Sequence, residues 1–122
     1  MAIHLVQHNT NFTVNAASNY FLTVIIGNGQ VGSTSFKNIN GDFFSPDVKN
    51  TVIGSGAALK GNSLNVVSVV MEVNPTNTNI VLSYYISDVV ITDFTTVAPT
   101  DTLPFASQIN DTVTLITKLN FN

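Results

Sequence analysis

The stretch that decides the fold is residues 64–91, LNVVSVVMEVNPTNTNIVLSYYISDVVI. Two long apolar runs flank the polar segment 75–79, and both runs are dense in β-branched residues, which favour strands over helices. Asn74-Pro75 also interrupts any helical pattern. We therefore predict two β-strands, joined as a hairpin, at the centre of the fold.

Neither strand of this stretch has a clean polar face. Side chains alternate sides along a strand, so Val66 and Val70 share one face and Val69 belongs to the other. A sheet with one solvated side should instead alternate apolar and polar residues. We expect Val69 and Leu82 to lie in the core. We expect Val66, Val70 and Tyr85 to lie on faces that another copy of the chain covers.

The same alternation recurs along most of the chain. Asn28-Gly29 is the favoured pair for a two-residue type I′ turn, so it predicts a hairpin over residues 20–36. Segments 54–61 and 98–108 are predicted as loops, and no segment has a helical period. Further strands are predicted over residues 1–8, 12–16, 48–53 and 113–121. The pattern indicates an all-β fold: an antiparallel β-sandwich or jelly roll of about eight to ten short strands, as a single domain over 1–122.

The composition excludes several kinds of function. Charged residues make up 9 % of the chain, against about 25 % in a typical domain. The net charge of −3 and the scattered lysines argue against nucleic-acid binding, which needs clustered cations. No apolar run approaches the roughly 20 residues of a membrane span, and the first residues do not form a signal peptide. A polar, nearly uncharged composition is common in extracellular and cell-surface β proteins.

Nothing in the sequence marks a catalytic site. His4 and His8 lie on one face of a predicted strand, about 13 Å apart at 3.3 Å per residue, so they cannot share a metal ion. The chain has no G-x-S-x-G, no H-E-x-x-H and no glycine-rich phosphate loop. We predict that the protein is not an enzyme.

The best polar constellation is the loop over residues 38–47. Its acids and amides offer the oxygen ligands that Ca²⁺ prefers, and its adjacent aromatic rings could pack on the apolar face of a sugar. The competing interpretation is that the amides and acids only stabilise turns while both rings pack inward. The candidate ligand-binding residues are Asn40, Asp42, Phe43, Phe44 and Asp47, of which Asp42 and Asp47 are the candidate metal ligands.

Two functions follow from these observations. The first is a non-enzymatic structural subunit that assembles into homo-oligomers or filaments through its sheet faces. The alternative is a lectin-like module that binds a glycan, with or without calcium. A second calcium loop at Asp101 stays open as part of the alternative.

Overall fold

A computed structural model describes residues 2–77 and 79–122 and shows two β-sheets packed face to face. In chain order the elements are β1 (Ile3–Phe12), β2 (Asn19–Ile26), β3 (Val31–Lys37), β4 (Phe43–Phe44), β5 (Thr51–Ser55), α1 (Gly56–Leu59), β6 (Ser63–Met71), β7 (Asn79–Ser87), a 3-10 turn (Phe94–Thr96), β8 (Asp101–Ala106) and β9 (Thr112–Phe121). Sheet A has the order β1-β9-β6-β3-β4, and sheet B has the order β5-β2-β7-β8. The predicted all-β sandwich is confirmed.

The last strand shows how the pattern builds the core. β9 pairs parallel with β1 and antiparallel with β6, so it lies second from the edge of sheet A. A strand was predicted over residues 113–121, and every residue of the inward face of β9 is buried: Val113, Leu115, Thr117, Leu119 and Phe121. The one polar member, Thr117, donates its hydroxyl hydrogen to the Tyr84 hydroxyl across the core at 2.7 Å.

The predicted central hairpin is wrong, because β6 and β7 lie in different sheets. β6 pairs with β3 and β9, whereas β7 pairs with β2 and β8. The chain after β6 is held against the β2–β3 turn, where the Gln30 side-chain oxygen accepts hydrogen bonds from the backbone N–H groups of Val73 and Asn74. The chain therefore crosses from one sheet to the other, and the two strands lie on opposite sides of the core.

The predicted hairpin over residues 20–36 fails in the same way. Asn28 and Gly29 have φ of 60° and 71°, as a type I′ turn requires. However, β2 belongs to sheet B and β3 belongs to sheet A. The favoured turn forms locally, but it joins strands of facing sheets.

Val69 was predicted to lie in the core, but the structure places it on the outward face of β6. Val66 and Val70 are fully buried, and Val69, expected in the core, is 42 % exposed. Ser68 shares the buried face, and its hydroxyl pairs with the buried Thr34 hydroxyl at 2.8 Å. That hydrogen bond satisfies the Ser68 hydroxyl, so this polar side chain is buried beside Val66 and Val70 without an unpaired group. Leu82 is fully buried, as predicted.

Two predicted loops contain regular structure. Segment 98–108 contains β8, an edge strand of sheet B that includes Pro104. Segment 54–61 contains α1, whose Ser55 hydroxyl accepts a hydrogen bond from the Ala58 N–H at the helix start.

Within the described ranges, neither helix is long and apolar enough to cross a membrane.

Candidate functional site

The outer surface of sheet A carries two adjacent rows of apolar side chains. Strand register aligns Ile3, Thr112, Met71 and Val31 in one row. The next row aligns Leu5, Thr114, Val69 and Ser33. Ile3 is 85 % exposed and Leu5 is 65 % exposed. We define the apolar face as Ile3, Leu5, Val31, Val69 and Met71, all of which are exposed.

Charged residues enter this surface only further along the strands. The third row, which contains Ile116 and Val67, is also uncharged. Lys118 and Lys37 come in the fourth row, at the other end of the sheet. A partner could therefore cover the apolar face without burying a charged group.

The outer surface of sheet B is different, because the chain covers part of it. Tyr85 points outward from β7 but is only 8 % exposed. The ring of Phe94 packs against it edge-on, with 5.0 Å between ring centroids, and Lys49 Nζ lies 5.9 Å from the Phe94 ring. A short segment after β7 thus buries the outward tyrosine.

The three predicted interface residues are therefore all covered within one chain. Val66 and Val70 face sheet B across the core, and Tyr85 lies under Phe94. The choice of face is corrected: the uncovered face of β6 is the opposite one, which carries Val69 and Met71.

The loop over residues 38–47 is organised by one buried amide. The Asn38 side-chain oxygen accepts hydrogen bonds from the backbone N–H groups of Asn40 at 3.0 Å and Asp42 at 2.9 Å. The Asn38 N–H donates to the Asp42 carbonyl at 2.9 Å. These are the bonds of a turn, and the side chains of Asn40 and Asp42 stay exposed.

Of the two adjacent phenylalanines, only one is open. Phe44 stacks on Phe36 at 5.5 Å and packs against the core, whereas Phe43 is 57 % exposed. Neighbouring side chains of a strand point to opposite sides, which explains the split. Phe43 lines a shallow groove of about 470 Å³ together with Lys37 and Asn65.

The second candidate metal ligand lies elsewhere. Asp47 lines a separate groove of about 610 Å³ between β2 and β3, with Val24, Ile26 and Phe94 among its walls. No group of three or more histidine, aspartate or glutamate side chains surrounds a common point in the part of the chain that the structure describes. Calcium binding by Asp42 and Asp47 stays a prediction for which this structure offers no shared ligand set.

One histidine of β1 forms a close pair with β8. His8 Nε2 lies 2.7 Å from Asp101 Oδ2, and the Thr10 hydroxyl donates to the same oxygen at 2.6 Å. Burial acts to raise the pKa of Asp101, but the hydrogen bonds from Thr10 and His8 outweigh it and hold that pKa below its usual value. In a catalytic triad the hydroxyl bonds to the imidazole. Here it bonds to the carboxylate, so the group links the edges of the two sheets.

The other histidine forms a similar pair at the end of β1. His4 Nε2 lies 3.0 Å from Asp111 Oδ2, and the imidazole ring packs 5.3 Å from the Phe105 ring. Asp111 also accepts hydrogen bonds from the N–H groups of Gln108 and Ala2. The Gln108 N–H, and then His4, lower the pKa of Asp111.

Sequence reasoning missed these pairs and one buried acid. The partners of His4 and His8 are 107 and 93 residues away along the chain, and no local pattern joins them. Glu72 is fully buried; its Oε2 bonds to the Ser107 hydroxyl, and its Oε1 has no partner among the described residues. Its place in an apolar alternation, on the face shared with Val66 and Val70, was the one available signal.

Comparisons with family models, with curated proteins and with solved structures found no match to this chain. The evidence for the function of this chain therefore lies in its own surfaces. Among the described residues, the apolar face of sheet A brings five exposed large apolar side chains together in two adjacent rows that contain no charged residue.

Proposed function

We propose that the protein is a structural subunit that associates with copies of itself through the apolar face of sheet A. One observation carries the proposal: adjacent uncharged rows of large side chains are exposed on sheet A, whereas the outward tyrosine of sheet B is covered. Removing apolar surface from water stabilises an association by about 25 cal/mol per Å² before the costs of binding are subtracted. Contiguous exposed apolar patches are typical of interaction sites.

The apolar face suits contact with an identical face. Two sheets pack about 10 Å apart with their side chains interdigitated. Pairing about a two-fold axis brings the same patch of each copy together, so both partners bury uncharged rows. The threonines Thr112 and Thr114 lie within the rows and keep them from being wholly apolar.

A charge placed in the apolar face tests this proposal. Val69→Lys should weaken self-association about tenfold or more, because a lysine would have to be desolvated in the contact. Sedimentation velocity over a range of protein concentrations measures the effect. Val69 is exposed, so the variant should still fold.

The matched control is Val52→Lys. The exposed fraction of Val52, 46 %, is similar to the 42 % of Val69, but Val52 lies on β5 of sheet B. This variant should associate like the wild type. A wild type that stays monomeric at micromolar concentrations and above would contradict the proposed function.

A second candidate, glycan binding, is favoured by the exposure of Phe43. Its ring borders the groove that also contains Lys37, Asn38 and Asn65. An aromatic ring can pack on the apolar face of a sugar while amide and ammonium groups bond to the hydroxyls. Phe44 does not belong to this candidate site, because its ring is stacked on Phe36.

A glycan array followed by calorimetry tests the second candidate. Phe43→Ala should abolish the heat of binding to any glycan that the wild type retains. Ile109→Ala, which shortens an exposed apolar side chain outside this groove, should leave the heat unchanged. An array without signal, with and without millimolar calcium, rules out this candidate.

A further inference from the structure

Strand β1 has a free edge along its whole length. It pairs with β9 on one side from Ile3 to Phe12 without a break in register, and no strand of the described residues pairs with its other side. The carbonyl of Ala2 accepts from the Thr112 N–H, and the carbonyl of Phe12 accepts from the Asn122 N–H, both at 2.9 Å. Even-numbered residues therefore direct their backbone groups toward β9.

The odd-numbered residues direct their backbone groups the other way. Alternate residues of a strand present their N–H and C=O to opposite sides. These residues are Ile3, Leu5, Gln7, Asn9 and Asn11, and none of their backbone groups makes a hydrogen bond within the described ranges. Such a row of unpaired donors and acceptors is a template for another strand.

The other edge strands are protected. β4 has only two residues, and β8 carries Pro104 and the charged Asp101. β5 is short, includes Gly54, and pairs with β2 through an irregular register. Short strands, prolines, charges and irregularities are the usual means of preventing edge pairing.

β1 has none of these protections. It contains no proline, lysine, arginine or acid, and its only titratable residues, His4 and His8, pair inward with Asp111 and Asp101. Its outward side chains are Ile3, Leu5, Gln7, Asn9 and Asn11. This is the one long edge of the described chain that is both continuous and uncharged.

We infer that β1 pairs antiparallel with β1 of a second copy, about a two-fold axis at Gln7. The two five-stranded sheets then join into one continuous sheet. The inference rests on the proposed function, because it adds a second surface to a chain that already associates with itself.

The register follows from which backbone groups are free. In an antiparallel ladder, residues that exchange both hydrogen bonds lie directly opposite each other. Pairing the odd-numbered residues places Gln7 opposite Gln7, Leu5 opposite Asn9 and Ile3 opposite Asn11. The other free edges of a second copy lack the length to pair with all of β1.

A second copy is the occupant that the charges favour. Every opposed outward pair is neutral, so the two strands bring no like charges together. The join also places the two copies of Ile3 and Leu5 on the same side of the continuous sheet, with Leu5 of each copy beside the uncharged Asn9 of the other.

The first test removes the free edge without disturbing the monomer. Gln7→Pro deletes an N–H that no described group uses, and proline is tolerated at an edge. Gln7→Lys keeps the backbone and places two ammonium groups side by side at the axis. Both should raise the dissociation constant about tenfold or more in sedimentation velocity. Thr102→Lys, on the edge strand β8, is the matched control and should have no effect.

The second test reads the register directly, since the chain has no cysteine. Opposed residues that exchange hydrogen bonds have Cα atoms about 5.5 Å apart, within the range for a disulfide. Gln7→Cys should therefore crosslink to itself under mild oxidation. Leu5→Cys and Asn9→Cys should crosslink when mixed but not alone, because each is displaced by about 13 Å along the strands from its own copy.

The outcomes separate the two proposals. If the wild type associates but Gln7→Lys and Gln7→Pro associate equally well and Gln7→Cys does not crosslink, the edge inference is overturned while the apolar face stands. If the edge variants are monomeric and Val69→Lys associates normally, the edge is confirmed and the apolar face fails. The inference would also be overturned if Gln7→Cys did not crosslink to itself but did crosslink to a cysteine on a strand of a different protein added to the solution.

Discussion

The outward surfaces of the two sheets have similar sequence patterns, but one surface is covered by the chain and the other is not. β6 and β7 both carry apolar side chains on both faces. In sheet B, the segment that follows β7 returns over the surface and places Phe94 on Tyr85. In sheet A, nothing in the described chain covers Val69 and Met71. An outward apolar residue therefore indicates that another group covers it. Whether that group belongs to the same chain depends on where the neighbouring segments run.

The largest expected effect separates inward from outward residues. Leu82→Ala should lower the free energy of unfolding by about 2–5 kcal/mol, because it leaves a cavity in a packed core. Val69→Ala should cost less than about 1 kcal/mol, because its side chain is already in contact with solvent. Urea unfolding of both variants, followed by far-UV circular dichroism, measures the difference. Equal losses would contradict the structure, in which Leu82 of β7 is fully buried and Val69 of β6 is exposed.

The strands could be predicted from the sequence, but their partners could not. Period-two alternation located β9 because that signal lies within ten residues. The choice between a hairpin and a crossing to the facing sheet depends on contacts such as Gln30 with Val73, which are 43 residues apart. The Asn28-Gly29 turn forms as its sequence predicts, yet its two strands enter different sheets.

The candidate site was predictable to a similar extent. Alternation explains the split between Phe43 and Phe44, but the sequence left open whether one ring would be exposed or both would pack inward. The turn around Asn38 also follows from the local preference of asparagine for side-chain bonds to nearby backbone. The predicted interface residues are covered in two different ways. Val66 and Val70 share their buried face with Ser68, whose hydroxyl pairs with Thr34 from 34 residues away, and Tyr85 lies under Phe94.

Removing the cover of sheet B should make the two outer surfaces alike. Phe94→Ala exposes Tyr85 and should lower the free energy of unfolding by about 1–2 kcal/mol, less than a core truncation because Phe94 is only partly buried. It should also increase self-association at a given concentration, because a second surface then lacks cover. Thermal unfolding and light scattering measure the two effects. Val97→Ala, which trims an exposed residue beside the same 3-10 turn, serves as the control and should change neither quantity.

The smallest expected effect concerns the edge where the two sheets meet, and it appears as a dependence of stability on pH. Hydrogen bonds from Thr10 and His8 hold the pKa of Asp101 below the ordinary value of 3.8 in the folded protein. The folded state therefore holds this proton less tightly than the unfolded chain does. The resulting stabilisation is fully present above pH 3.8 and is lost as the pH falls through the lower folded pKa.

Asp101→Asn should remove this part of the acid dependence. The free energy of unfolding, measured by urea titration at intervals from about pH 5 to pH 2, should fall less steeply for the variant than for the wild type. Asp111→Asn should act in the same direction, since the Gln108 N–H and His4 lower the pKa of Asp111. Asp47→Asn is the matched control, because Asp47 is exposed and makes no hydrogen bond within the described residues. If Asp47→Asn flattens the acid profile as much as Asp101→Asn does, the bonds between β1 and β8 are not the source of the dependence. If only the two paired aspartates matter, the edge of the sandwich is held by the residues that tie β1 inward and leave its outer backbone free.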